Sequence, residues 1–153
     1  MGEFVVSSVL SVTPEALWRH ATSPAGVNRE LRPLLRMTFP RGTRDLTAGW
    51  QPGVRLFRSW LLLAGLLPVE YDDVVFIEVE PGRRFLERSS LFTQRVWEHE
   101  RSLEATAGGC RITDRVRFVP RLPALARLQG PVFQAVFRLR HRNLRALYGE
   151  RVP

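Results

Sequence analysis

The chain has 153 residues, 44% of them hydrophobic and 25% charged, a composition that argues against a disordered protein and favours one domain over residues 1–153. All 23 basic residues are arginine and the net charge is +8, which indicates either GC-rich coding or attraction to anionic partners. The arginines are scattered rather than grouped, which argues against nucleic acid as the partner.

The first half of the chain predicts a strand, two short helices and a second strand. Residues 4–12 are rich in valine and serine, as strands are. Thr13 and Pro14 are typical of a helix start, and this helix should stop near Ser23. A second helix is predicted over 25–31 and a short strand over 35–39, followed by a polar loop over 40–53.

The second half predicts five strands joined mostly by short turns, and then a helix. Strands joined in this way must be antiparallel neighbours. The predicted strands span 54–63, 69–80, 83–92, 95–106 and 110–119. A helix over about 124–148 should cover the sheet with an apolar stripe formed by Val132, Phe133, Val136, Phe137, Leu144, Leu147 and Tyr148.

The hairpin VWEHERSLEATAGGCRITDRVRF, residues 96–118, has charged residues on its apolar face. Alternation places His99, Arg101 and Asp114 on the same side as Trp97. If Gly108 and Gly109 form a two-residue loop, Arg101 and Asp114 are diagonal neighbours; a slip of two residues would place them directly opposite. Two interpretations remain open: a structural ion pair that closes against the C-terminal helix, or a polar spot in a ligand pocket.

Parity along the other elements adds candidates for a pocket wall. Tyr71 is a candidate on residues 69–80, where either face could point inward, and Phe133 and Phe137 are the candidates on the terminal helix. His141 lies among arginines and is predicted to be on a solvated helix face, and His20 is predicted to have a structural role at a helix end.

Several kinds of site are not indicated by the sequence. It has no P-loop, dinucleotide-binding fingerprint, nucleophile elbow or cysteine cluster, and its three histidines are widely separated, so we expect neither a metal site nor a cofactor. The single cysteine, Cys110, forms no intrachain disulfide and fits a cytoplasmic protein. The N-terminus does not read as a signal peptide, and the apolar residues 60–69 cover about half of a membrane span.

The order of elements resembles the START-like superfamily, also called SRPBCC or helix-grip, which includes the birch-pollen allergen, lipid-transfer START domains and bacterial polyketide cyclases. The resemblance covers essentially the whole chain, and the 97–118 hairpin is similar to many uncharacterised bacterial members. It implies an α+β helix-grip fold, in which a curved antiparallel sheet of about six to seven strands wraps around a long C-terminal helix. It also implies an internal cavity for an apolar or amphipathic ligand, but no single reaction. The segments that carry it are VTPEALWRHATSPAGVNRE, VFIEVEPGRRFLERS, WEHERSLEATAGGCRITDRVRF and VFQAVFRLRHRNLRALYG.

These observations leave three functional hypotheses. The first is a protein that binds a lipid or polyketide-like small molecule, with contacts from Trp97, His99, Arg101, Asp114, Tyr71, Phe133 and Phe137. The second is a cyclase or dehydratase-type enzyme that uses His99 as acid or base and Arg101 to stabilise an enolate. The third is a protein that contacts a membrane or a partner through the basic helix surface or the doubly apolar 54–63 strand. We expect a monomer or a homodimer.

Overall fold

The structure, a computed structural model, describes residues 1–151. Three helices are present: α1 (Pro14–Ala21), α2 (Pro24–Leu31) and α3 (Ala126–Tyr148), the last preceded by a short 3₁₀ turn. The strands are β1 (Gly2–Leu10), β2 (Leu35–Met37), β3 (Arg55–Leu63), β4 (Leu67–Glu80), β5 (Arg84–Leu91), β6 (Gln94–Thr106) and β7 (Gly109–Pro120).

The seven strands form one antiparallel sheet in the order β1-β7-β6-β5-β4-β3-β2. The sheet is curved and wraps around α3, while α1 and α2 follow the first strand. This architecture confirms the predicted α+β helix-grip fold class. In residues 1–151, no helix combines the length and the apolar composition that crossing a bilayer requires.

Local sequence signals explain where the two short helices begin. The hydroxyl of Thr13 accepts a hydrogen bond from the backbone N–H of Ala16, and the hydroxyl of Ser23 accepts one from Gly26. A proline follows each capping residue, where its missing N–H has no cost. The Asn143 side chain on α3 then donates to the carbonyl of Glu30, which ties α3 to the end of α2.

The interior between the sheet and α3 is divided into apolar layers with a polar layer between them. One apolar cluster contains Phe4, Leu91, Trp97, Val116, Phe118 and Phe137, and another contains Leu10, Leu17, Leu103, Cys110, Ile112 and Leu144. Between these clusters lie side chains that are buried and polar or charged. We call them the polar layer: Ser8, Glu30, His99, Arg101, Asp114, Arg140 and His141.

The register of the β6–β7 hairpin differs from the diagonal pairing expected from a Gly108-Gly109 loop. Thr106 pairs with Gly109, so the turn is made by Ala107 and Gly108, and Arg101 lies directly opposite Asp114. The backbone of Gly108 has φ of 73°, a conformation that glycine adopts without strain and that fixes this position of the turn.

The prediction that His141 lies on a solvated face of α3 is wrong. Its side chain is fully buried, because α3 turns that residue toward the sheet together with Phe137 and Leu144. Arg145, on the same helix, is partly buried and donates to the Ser8 hydroxyl. The predicted apolar stripe is incomplete, since Val132 and Leu147 are exposed.

Candidate functional site

A cavity of about 540 Å³ lies between the concave face of the sheet and helices α2 and α3. Its wall is largely apolar, and most of its aromatic rings come from the sheet and from α3. The cavity opens to solvent between the β3–β4 hairpin and the first turns of α3, where the residues of its wall are exposed. These exposed wall residues are Leu34, Leu63, Val69, Leu128 and Val132.

Four of the seven predicted ligand contacts lie on this wall. They are Trp97 and His99 on β6 and Phe133 and Phe137 on α3. The rings of Trp97 and Phe133 are 5.1 Å apart, and His99 and Phe137 are also 5.1 Å apart, both edge to face. The sheet and the helix therefore meet through aromatic contacts at one side of the cavity.

Tyr71 is not on the wall, so the parity chosen for residues 69–80 is wrong. The neighbouring residues Asp72 and Val74 line the cavity instead. Tyr71 lies on the outer face of the sheet, where its ring packs against Trp60 and the Arg58 guanidinium lies 4.0 Å from its centroid. Both faces of β4 carry apolar side chains, and alternation alone does not select between them.

Arg101 and Asp114 are also absent from the cavity wall, and Arg101 is fully engaged within the polar layer. Arg101 donates from Nε and Nη2 to the two carboxylate oxygens of Asp114, both at 2.7 Å. It also donates from Nη1 and Nη2 to Glu30, at 3.1 and 2.8 Å. The side chain is 1% exposed, so its position corrects the expectation that Arg101 contacts a ligand or an enolate in the cavity.

Asp114 is the centre of the polar layer and accepts four hydrogen bonds. Besides the two from Arg101, Nε2 of His99 donates to Oδ1 at 2.7 Å and Nε2 of His141 donates to Oδ2 at 2.8 Å. Burial alone would raise the pKa of this carboxyl, but Arg101 and these hydrogen bonds hold the pKa of Asp114 well below its usual range. Asp114 is therefore a fixed anion that orients two histidines.

Hydrogen bonding leaves one histidine nitrogen free at the cavity. His141 accepts at Nδ1 from the Ser8 hydroxyl (2.8 Å), and His20 accepts at Nδ1 from the Tyr148 hydroxyl (2.8 Å) while Nε2 faces Glu30. His99 uses Nε2 on Asp114, and its Nδ1 has no hydrogen-bond partner among residues 1–151. These tautomers follow from the donors and acceptors around each ring.

Two acidic side chains, Asp72 and Glu87, lie on the wall beside His99. We call them the acid pair. Glu87 pairs across the sheet with His99, and its Oε2 lies 3.7 Å from His99 Nδ1. Its Oε1 accepts a hydrogen bond from the Ser89 hydroxyl at 2.6 Å. The buried Oδ1 atom of Asp72 has no hydrogen-bond partner.

The pKa values of the two acids in this pair are shifted in opposite directions. Burial, and then the negative charge of Glu87, raise the pKa of Asp72 well above its usual value. Burial also opposes ionisation of Glu87, but the neighbouring His99 keeps the pKa of Glu87 below its usual value. Asp72 is therefore the member of the acid pair that takes up a proton first as the pH falls, and Glu87 is the member that stays ionised longer.

Sequence reasoning missed the acid pair, although the pattern contained a signal for it. On β5, Phe85, Glu87, Ser89 and Leu91 alternate on one face, and all four are buried. An acidic residue on a face that also carries apolar residues is the pattern that drew attention to Asp114. In residues 1–151, no three His, Cys, Asp or Glu side chains are arranged so that they could hold a metal ion.

Solved structures with the same architecture place the fold among known proteins. CV1439 from Chromobacterium violaceum is 15% identical, with a TM-score of 0.74 over 97% of this chain and 98% of that chain. DynU16, a putative protein in the dynemicin biosynthetic locus, is 14% identical with a TM-score of 0.60; the match covers 98% of this chain and 49% of DynU16. Ara h 8.0201 is 17% identical with a TM-score of 0.58, over 94% and 97% of the two chains.

These likenesses define the class of fold, a helix-grip fold, and at such low identity they define nothing more. The chain belongs to the family described as a domain of unknown function, DUF8410, whose model matches residues 8–148. No curated protein matches the chain.

Proposed function

We propose that the protein binds a small molecule with a largely apolar body, of the lipid or polyketide-like class, in the cavity between the sheet and α3. The observation that carries this proposal is the cavity itself, because native interiors of this size are normally filled by side chains. A volume of about 540 Å³ is in the range of small-molecule sites, which combine apolar walls with a few polar groups. A structural neighbour from a biosynthetic locus is consistent with a biosynthetic intermediate as the ligand.

The proposed contacts are the predicted residues that line the cavity, together with the acid pair. Trp97, Phe133 and Phe137 would pack against the apolar body. His99 would contact a polar group through Nδ1, which has no partner within residues 1–151. Native mass spectrometry of freshly purified protein tests for a ligand that is retained during purification.

Filling the cavity gives a sharper test. We expect Val136→Trp to lower the affinity for an apolar fluorescent probe by at least about tenfold, since Val136 lines the cavity and the larger ring would occupy the volume of the probe. The measurement is a fluorescence titration.

The control for that test is Ala135→Trp, which adds the same ring to the adjacent, exposed position of α3. It should leave the affinity unchanged. Equal binding by both variants, with circular dichroism showing that both are folded, would contradict binding in this cavity.

One observation favours a second candidate, an acid–base enzyme that acts on the same ligand. His99 is held by Asp114 at Nε2 and presents Nδ1 to the cavity beside Glu87, an arrangement typical of general acid–base groups. His99→Gln should then abolish conversion of the retained molecule, measured by mass spectrometry, while binding persists.

Other properties stay predictions from sequence. We expect a cytoplasmic monomer or homodimer that needs no cofactor and binds no nucleic acid. Contact with a membrane through α3 is an alternative function. Arg138 and Arg142 are exposed arginines on α3, so vesicle binding that falls when both charges are removed would support the alternative.

A further inference from the structure

The ionisable side chains on the cavity wall are mostly acidic, although the chain as a whole is basic. Among residues 1–151 they are Glu70, Asp72, Glu87, His99 and Arg140. The Arg140 guanidinium donates from Nε to the buried Glu30 at 3.2 Å and lies over the Phe137 ring. Three carboxyls therefore share the wall with a single guanidinium, whose charge is already paired with the buried Glu30.

Asp72 supplies the clearest sign of a missing donor. Its side chain is 7% exposed, and its Oδ1 atom is buried with no hydrogen-bond partner. A buried oxygen in this state costs free energy unless a donor meets it. Since Asp72 lies on the wall of a cavity, a ligand group is the natural source of that donor.

Glu87 has unused acceptor capacity at the same place. One oxygen accepts from Ser89, but the other lies 3.7 Å from His99 Nδ1, which is longer than a hydrogen bond. Glu70, by contrast, is already occupied by the backbone N–H and hydroxyl of Thr93. The acid pair therefore supplies the charged acceptors that are available to a ligand, and the buried Oε1 atom of Gln129 is a further, neutral acceptor on the wall.

Aromatic rings surround the acid pair. Phe76 is the cross-strand neighbour of Glu87, and its ring lies 5.5 Å from that of Phe85. Both rings line the cavity. Aromatic faces beside carboxylates favour a cation, because the ring quadrupole and the negative charge both attract it.

We propose that the ligand of this cavity carries a protonated amine on its apolar body, and that the acid pair Asp72–Glu87 receives the amine. This inference rests on the proposed function and specifies the chemistry of the head group. A fatty-acid-like carboxylate is disfavoured at this place, because it would add a negative charge next to Glu87.

Binding of an amine should be linked to release of a proton. Burial and Glu87 raise the pKa of Asp72, and a cation bound beside the carboxyl would lower that pKa and so displace a proton wherever Asp72 holds one. The other ionisable groups on the cavity wall with Asp72 are Glu70 on β4, Glu87 on β5, His99 on β6 and Arg140 on α3. Affinity for the amine should rise as the pH rises toward the pKa of Asp72, while affinity for an uncharged ligand should stay flat.

Three probes with one apolar body test the head group: decylamine, decanol and decanoate, titrated calorimetrically into the full chain. We expect decylamine to bind about tenfold more tightly than decanol and decanoate to bind most weakly. Equal affinity for amine and alcohol, or a preference for decanoate through Arg140, would overturn the inference and leave the proposed function intact. If none of the three bound, both proposals would be contradicted.

Variants then localise the effect. Asp72→Asn should reduce the preference for decylamine over decanol about tenfold and abolish proton release, measured in buffers of different ionisation enthalpy. The matched control is Asp73→Asn, since Asp73 is the next residue and pairs with Arg58 on the outer face. Glu87→Gln is a second test at the other carboxyl. An unchanged preference in Asp72→Asn and Glu87→Gln, or a flat pH profile for decylamine from about pH 5 to about pH 8, would overturn the assignment.

Discussion

Arg101 shows how a single side chain can hold three elements together. Its guanidinium on β6 binds Asp114 on β7 and Glu30 on α2, and its four hydrogen bonds are all buried. Placing these charges in the interior is costly, and the attraction between them offsets that cost only while every partner is present. Removal of Arg101 would leave two buried carboxylates facing each other.

We therefore expect Arg101→Leu to lower the free energy of unfolding by about 3–5 kcal/mol, measured by urea denaturation. The control is Arg115→Leu, at an exposed position on the outer face of β7. This variant should change the free energy of unfolding by less than about 0.5 kcal/mol. Similar losses in both variants would contradict the stabilising role of the buried contacts.

The inward orientation of His99, Arg101 and Asp114 could be predicted from alternation along one hairpin, because strand parity is local information. The partners of these residues on other elements could not be predicted in this way. Glu30 and His141 are 71 and 27 positions away from Arg101 and Asp114, respectively, and no spacing rule connects residues at such separations. The sequence consequently left both interpretations of the Arg–Asp pair open.

At the scale of elements, the apolar stripe of α3 has an interruption that indicates the buried polar layer. Phe137 and Leu144 are seven residues apart on the buried face, and helical spacing requires a residue between them at 140 or 141. Those positions hold Arg140 and His141, so the interruption of the stripe itself indicates a buried polar contact. On β4, a register shift between Phe76 and Glu78 adds to the difficulty of choosing the inner face.

The β6–β7 turn offers a prediction at this scale. We expect Gly109→Ala to destabilise the protein more than Gly108→Ala. A Cβ at Gly109 would lie 2.1 Å from the backbone oxygen of Leu10, which is held by strand pairing. At Gly108 the new atom would meet only the flexible end of Arg151, and the cost there is the left-handed backbone, roughly 1 kcal/mol. Thermal unfolding of both variants checks the order; the reverse order would contradict the close β1–β7 approach.

On the scale of the whole molecule, the polar layer makes stability depend on pH in two opposite ways. Arg101 and Arg140 oppose the effect of burial and hold the pKa of Glu30 well below its usual value, as Arg101 does for Asp114. Their contribution is present above the unfolded pKa values near about 4 and is lost as the pH falls toward the folded values. The raised pKa of Asp72 acts in the other direction, lowering stability as the pH rises above its unfolded value.

We accordingly expect the free energy of unfolding to fall progressively below about pH 4. Asp72→Asn should retain that acid loss but be more stable than the wild type at pH 7, because the variant has no buried carboxyl whose ionisation is opposed by burial and by Glu87. Urea titrations across the pH range measure both effects. An acid-insensitive wild type would contradict the role of Glu30 and Asp114, and an Asp72→Asn variant less stable at pH 7 would contradict the role of Asp72.

A positive exterior around an acidic interior has a kinetic consequence. With a net charge of +8, the long-range field of the molecule repels an incoming cation before it reaches the carboxylates that would hold it. Dissolved salt screens this outer field over about 10 Å at 0.1 M but acts weakly on buried charges inside the cavity. An amine would then enter faster as ionic strength increases, while its residence time, set by the buried contacts, would change little.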